Sequence, residues 1–256
     1  RQRQMCIRDR YRDFWEGKKY NVSKNSEYAN QTFVILPTNN LGRLNTLAEK
    51  LEAQDIEIYL NTSPIQTKSA LKQTGDSVEN FNIPVGSMII PNLQPEAPLI
   101  AAILEFDAEI IESVLEEERR QRLKNSSSIM YDTTAFNLTM MYGLEAVTVQ
   151  ENIQKNLKKW KPIEVSVDVQ ENALMWAVNG IDDRSVAFAA RLMELGVEVR
   201  IIDKDALLSE QSLPRGSVVV IDMDNPDYED LSSVVSTIAS ELNLPVASIS
   251  SGFGAE

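Results

Sequence analysis

The sequence predicts an α/β fold: two related β-α-β-β-α units with largely parallel sheets, joined by a helical segment. Three observations predict it. Short apolar runs alternate with helically spaced stretches, the same order of elements returns later in the chain, and a proline-glycine-serine turn precedes the same strand in both copies.

In the first copy Phe33-Val34-Ile35-Leu36 is a strand-sized apolar run, followed by turn residues Pro37 to Asn40. Leu41 to Gln54 then places Leu41, Leu44, Leu47, Ala48 and Leu51 on one helical face. Asp55 to Tyr59 alternates polar and apolar, as a half-buried strand does. In the second copy Leu174 to Val178 is the strand, Asn179 to Asp183 the turn and Ser185 to Leu195 the helix. Gly196 to Arg200 is the alternating strand, with Gly196 suited to the left-handed position that closes a helix. Phe33 maps onto Leu174 and Ile58 onto Val199, both 141 positions on.

A second shared block follows. Ile83-Pro84-Val85-Gly86-Ser87-Met88-Ile89-Ile90 parallels Leu213-Pro214-Arg215-Gly216-Ser217-Val218-Val219-Val220 at 130 positions. Proline presets φ and glycine permits positive φ, which is turn chemistry feeding a strand. The 11-residue difference between the offsets predicts a longer loop in the first copy, between Asn61 and Asn82. Each copy then reaches a proline (Pro95, Pro226) and a helix, roughly Ala97 to Glu105 and Tyr228 to Leu242. Strands separated by helices of this length imply parallel crossovers.

Between the copies, Asp107 to Lys124 reads as a charged helix whose acids precede its bases, a solvated and self-paired face. Asn125 to Ser128 reads as a loop, Thr134 to Tyr142 as a helix closed by Gly143, and Ile163 to Val169 as an alternating strand. The expected domains are residues 11–106 for the first copy, 107–162 for a helical connector and 163–256 for the second copy, truncated at its C-terminal end. Residues 1–10, RQRQMCIRDR, fit nothing that follows. They hold Cys6, the one cysteine, and resemble translated sequencing-adapter read-through, so they are set aside as an artefactual tail.

Composition narrows the function. The net charge of −13 argues against a nucleic-acid partner, because phosphate backbones attract basic patches. No stretch approaches the ~20 apolar residues of a membrane helix, so no membrane partner is expected. The chain has no histidine. It therefore cannot build histidine-bearing zinc, Ser-His or Cys-His sites from its own residues. Without Cys6 it also lacks a disulfide and a thiolate nucleophile.

The remaining candidates each face a plainer reading. Ser250-Ser251-Gly252-Phe253-Gly254 has the flavour of a nucleophile elbow but lacks G-x-S-x-G and a base, so it reads as a turn. Asp182, Asp183, Asp203, Asp222 and Asp224 fall near strand ends, where paired carboxylates would serve a glycosidase. Aspartates there are also ordinary loop and cap residues. Asp222-Met223-Asp224-Asn225 lacks the glycine and distal glutamate of a calcium loop, and no Gly-rich nucleotide motif is present. Trp15, Tyr20, Trp176 and Tyr228 are candidates for a peptide- or glycan-binding groove, although aromatics are more often core. Five N-x-[ST] sequons occur, at Asn21, Asn30, Asn61, Asn125 and Asn137. No catalytic, cofactor-binding or metal residue is expected.

Taken together, several strings resemble large bacterial zinc carboxypeptidase-like proteins, relatives of carboxypeptidase A. Tyr11 to Lys18 looks like their YDFW-x-x-GK-type segment, and Pro84 to Ser87 with Gln94-Pro95 resembles their P-x-G-S…QP stretch. Tyr131 to Leu138 with Gly143-Leu144-Glu145 resembles their YDVTAW-x-LP…G-V-E pattern, departing at Thr139 where relatives often carry proline. Pro214 to Ser217, Asn225-Pro226 and Ser251 to Phe253 match a more C-terminal stretch. The resemblance implies an extracellular or periplasmic parent that hydrolyses C-terminal amino acids. Its zinc would sit in an upstream peptidase domain, and this chain would be the non-catalytic region behind it. The implied partners are that upstream domain and a peptide substrate. The rival readings are an α/β peptide- or glycan-binding module and a carboxylate-dependent glycosidase-like enzyme.

Overall fold

The computed structural model describes residues 2–106, 112–129, 137–208 and 211–250, with side chains from residue 8 onward. The chain forms two compact units, Arg1–Thr38 with Leu47–Lys161, and Asn39–Thr46 with Pro162–Glu256.

The first unit begins with helix α1 (Gln2–Asn21) and strand β1 (Thr32–Ile35). Helix α2 (Leu41–Glu52) follows, its first turn falling in the second unit, and then β2 (Tyr59–Asn61). A hairpin, β3 (Ile65–Gln66) with β6 (Asn82–Ile83), encloses a second one, β4 (Ser69–Lys72) with β5 (Ser77–Glu79). Strand β7 (Met88–Pro91), helices α3 (Ala97–Leu104), α4 (Glu112–Asn125) and α5 (Leu138–Met141), and strands β8 (Ala146–Val149) and β9 (Leu157–Lys159) complete it. Its seven-stranded sheet has the order β5-β4-β8-β1-β7-β2-β9.

The second unit contains β10 (Met175–Val178), α6 (Arg184–Glu194) and β11 (Arg200–Ile201). A hairpin of β12 (Ala206–Leu208) and β13 (Gln211–Leu213) leads to β14 (Val218–Ile221), α7 (Leu231–Glu241) and β15 (Ala247–Ile249). Its sheet has the order β11-β14-β10-β15.

The expectation of largely parallel sheets is overturned: every strand pair in both sheets is antiparallel. The reason lies in what fills the gap. β1 and β2 run the same way on either side of a crossover helix, yet β7 lies between them and bonds to both. β1 in turn sits between β7 and β8. Both crossovers are split, and the second unit repeats the arrangement with β10, β11, β14 and β15. Each unit is therefore β-α-β-β-α-β, the split topology of ferredoxin-like folds, not β-α-β-β-α. The fourth strands, β8 and β15, were not foreseen.

Other expectations shift in detail. The stretch 107–162 is not purely helical, since β8 and β9 belong to the first sheet. Of the charged helix, residues 107–111 lie outside the described residues; α4 carries the rest, with Arg120 on Glu117 and Arg122 on Glu118. Of the helix expected over 134–142, residues 134–136 lie outside the description and α5 supplies the end, Gly143 following at φ 59°. Ile163 to Val169 forms no strand. Val167 and Val169 still pack partly buried against the second core, so the alternation reflects half-burial without pairing.

The repeat has a clear physical register. Strand pairing makes Phe33 (opposite Ile90) the counterpart of Trp176 (opposite Val220), which moves the strand offset to 143. The buried helix residues Leu44, Leu47 and Leu51 keep the offset of 141, to Ser185, Phe188 and Leu192. The two-residue difference is taken up in the strand-to-helix turn. The 11 extra residues of the first copy form the β4–β5 hairpin, which joins the sheet through β8.

In the second unit the helices cover one sheet face: Trp176, Val178, Val218 and Val220 pack against Phe188 and Leu192 of α6 and Leu231, Val235 and Ile238 of α7. The β12–β13 hairpin covers the other, with Leu213 on Ala177, Val219 and Ile249. The matching face of the first unit, Val34, Ile89 and Val147, packs with Ile83 of the β3–β6 hairpin.

Candidate functional site

The proline-glycine-serine turns and the Gln94 and Asn225 amides hold backbone in the structure. Gly86 and Gly216 sit at φ 83° and 90°, a left-handed conformation that favours glycine. Beside them the Ser87 and Ser217 hydroxyls donate to Pro84 O at 2.8 Å and Pro214 O at 2.7 Å. Gln94 and Asn225 form the same buried clamp in each unit. The Gln94 amide donates to Glu57 O (2.8 Å) and Pro91 O (2.7 Å) and accepts from Glu57 N (2.7 Å). The Asn225 amide donates to Glu198 O (3.1 Å) and Ile221 O (2.9 Å) and accepts from Glu198 N (2.7 Å). A side-chain amide thus bridges two strand ends like one extra backbone pair. Thr139 is buried and bonds Asn137 Oδ1 (2.6 Å) and Gln73 Nε2 (2.7 Å). Of the remaining strings, residues 131–136 and 251–254 lie outside the described residues.

Each unit carries a concavity among the described residues. The first, about 330 Å³, opens in the first unit beside β2 and is lined by Glu57, Tyr59, Gln94 and Gln154 with Pro91, Leu93, Ile153 and Leu157. Glu57 and Tyr59 are two residues apart on an extended segment, so both side chains reach the same face. Tyr59 Oη donates to Glu57 Oε2 at 2.6 Å. That hydrogen bond, with burial and the carboxylate charge, pushes the phenol up to about 12. A phenol held so far above neutrality stays protonated and serves as a hydrogen-bond donor. Sequence reasoning passed over both residues, although their i, i+2 spacing was visible in the alternating strand. The second, about 530 Å³, runs along α7 and is lined by Asp230, Ser233, Ser236, Thr237 and Ser240 among others. Asp230 caps that helix, accepting from Ser233 N at 3.0 Å.

The five strand-end aspartates do not share one role. Asp182 is buried and accepts from Arg184 Nη2 (2.7 Å) and Nε (2.9 Å), from Arg184 N (3.0 Å) and from Gly42 N (3.1 Å). Asp183 pairs with Arg43 at 2.6 Å and Asp224 with Arg200 at 2.6 Å. Asp203 and Asp222 lie exposed. Among the described residues no group of three acids or thiols is placed to share a metal ion.

Burial alone would push the Asp182 carboxyl up, but the Arg184 guanidinium and the Arg184 and Gly42 N–H groups outweigh it and hold the carboxyl below its ordinary range. A depressed native value stabilises the fold above the unfolded value of about 3.9 and loses that contribution as pH falls through the native value. Asp182→Asn is therefore expected to lower stability by about 2 kcal/mol at pH 7 and to flatten the acid limb below about pH 4, measured by urea unfolding across pH.

The aromatic candidates separate. Trp176 is sealed in the second core and Tyr228 packs against the same cluster, its hydroxyl donating to Leu195 O. Trp15 and Tyr20 stay exposed on α1. This helix is fixed at its C-terminal end by a Lys18–Glu96 ion pair and by Asn21 Nδ2 donating to Pro95 O at 2.8 Å. Its outer length carries Tyr11, Phe14 and Trp15 at 72%, 60% and 54% exposure. Positions 11, 14, 15 and 18 form one stripe of a helix. Lys18 and Lys19 ammonium groups lie 5.1 Å and 5.5 Å from the Phe14 and Trp15 ring centroids. Of the sequons, Asn21, Asn61 and Asn137 are buried and hydrogen-bonded, leaving Asn30 and Asn125 exposed.

No helix among the described residues is long and apolar enough to cross a membrane. Compared with protein-family models, with curated proteins and with solved structures, the chain matches none.

Proposed function

We infer that the chain is a non-catalytic accessory region of a zinc carboxypeptidase-like protein, and that α1 is the seat on which the upstream peptidase domain docks. One observation carries this reading. The string Tyr11 to Lys18, which resembles the family's segment behind the peptidase domain, is also the helix that leaves its aromatic stripe in water. Each aromatic ring buries about 150–250 Å² when covered, so three in one stripe make an effective docking ridge. A helix exposed over residues 10–17 also draws little stability from its own unit and gains most from a partner.

On this reading the parent is extracellular or periplasmic and releases C-terminal amino acids from peptides with a zinc-activated water. The zinc belongs to the upstream domain, whose motif H-x-x-E and third histidine have no counterpart in this sequence. The test is to read the source gene upstream of the Tyr11 codon. An in-frame domain with H-x-x-E and a later histidine is the expected result. A start codon close by with no such domain overturns the reading.

A further inference from the structure

The two sheets share four strands but differ at their edges. In the first unit β9 lies along the outer edge of β2, pairing Leu157 with Asn61, Lys158 with Leu60 and Lys159 with Tyr59. The ladder continues on both sides: Thr62 N donates to Asn156 O at 2.9 Å and Trp160 N to Ile58 O at 3.0 Å. Backbone groups of residues 58, 60 and 62 thus face β9, while those of 59 and 61 face β7.

β11 is the counterpart of β2. Arg200 and Ile201 pair with Val219 and Val218 just as Tyr59 and Leu60 pair with Ile89 and Met88. Ile202 N donates to Ser217 O at 2.9 Å, as Asn61 N does to Ser87 O at 3.1 Å. By the same alternation Val199, Ile201 and Asp203 turn their backbone groups to the outer edge. Among the described residues no strand pairs there. The side chains beside it are open as well: Ile201 is 56% and Met223 84% exposed. Met223 lies 130 positions after Leu93, which in the first unit lines the cavity with Leu157 of β9. The second unit therefore presents the seat that β9 fills in the first, with its apolar rim uncovered.

We propose that the outer edge of β11 is a strand-acceptor site, filled by an extended segment of the same polypeptide beyond Glu256 that pairs antiparallel with Val199 to Asp203. The repeat names the occupant. β9 begins eight residues after Val149, the end of β8, and eight residues after Ile249, the end of β15, lies immediately beyond Glu256. Main-chain bonds to Ile201 supply the affinity, and an apolar side chain in the place of Leu157 covers Met223. This site is independent of the α1 docking ridge.

The test compares backbone hydrogen exchange in the 256-residue chain with that in the chain lengthened by the residues its gene encodes next. Lengthening is expected to slow the Ile201 and Asp203 amides by about 100-fold, because an open edge amide gains a ladder bond. Ile201→Pro removes the outward N–H without touching the bonds to β14. It is expected to leave the Tm of the shorter chain unchanged and to cancel the slowing at Asp203 in the longer one. Unchanged exchange on lengthening, or a stop codon directly after Glu256, overturns the proposal. So does concentration-dependent protection already present in the shorter chain, which would give the edge to a second copy.

Discussion

Trp176→Ala is expected to destabilise the second unit by about 4 kcal/mol, a large share of the roughly 5–15 kcal/mol that holds an ordinary domain. Trp176 is 1% exposed and sits on β10, where its ring fills the space between the sheet and both helices, among Phe188, Leu192, Val220 and Val235. Its Nε1 also donates to Gln170 O at 3.1 Å. Alanine removes the ring and one of the two hydrogen bonds that carbonyl accepts, the other coming from Ala173 N at 3.3 Å, so cavity and hydrogen-bond losses add. Trp176→Phe keeps most of the volume and loses mainly the bond, about 1 kcal/mol. Trp15→Ala on α1 is expected to change stability by less than about 0.5 kcal/mol, because its ring stands in water. Urea unfolding followed by circular dichroism separates the three. A small effect for Trp176→Ala would mean that the second core is not the one described.

The contrast between these two tryptophans marks what a sequence can and cannot reveal. Burial on a helix face was legible, because Leu44, Leu47 and Leu51 recur at helical spacing and are all sealed inside. So was the repeat, since Pro84 to Ser87 and Pro214 to Ser217 build the same turn from the same residues. Sheet order was not legible. Periodicity reports the direction of a chain segment and which face is buried, while the identity of the neighbouring strand is non-local. β7 and β14 slot between strands that a simple crossover would place side by side.

The fourth strands were hidden for a different reason. Ala146 to Val149 and Ala247 to Ile249 are too short to carry a period of their own. Ile163 to Val169 erred the other way, alternating because one side packs on the core although no strand pairs with it. At the candidate site, the aspartates near strand ends drew attention as carboxylates. Whether each is a lone acid or the partner of an arginine depends on Arg43, Arg184 and Arg200 reaching them, and for Arg43 that partner lies 140 positions away.

Gly180→Ala is expected to cost about 3 kcal/mol or more and to unfold the second unit selectively. Gly180 follows β10 in the turn toward α6, and its N–H donates to Ser217 Oγ at 3.0 Å. A Cβ added there would stand 2.4 Å from Gly216 C and 2.6 Å from Gly216 O and Ser217 N. Those atoms are backbone, so no rotamer change relieves the overlap. They belong to the turn that feeds β14, and Gly216 is itself held at φ 90° with its N–H on Ile202 O at 2.8 Å. Moving the turn aside would break the register of β14 with both β10 and β11. Gly75→Ala is the contrasting control: Gly75 sits at φ 86°, but a Cβ there meets nothing within 4 Å, so only the conformational cost of about 1 kcal/mol remains. Thermal unfolding of the two variants distinguishes close approach from backbone strain. Equal losses would show that the Gly180 contact is not closed in solution, and a much larger loss for Gly180→Ala places the tightest packing of the second unit where two of its turns meet, at residues 180 and 216.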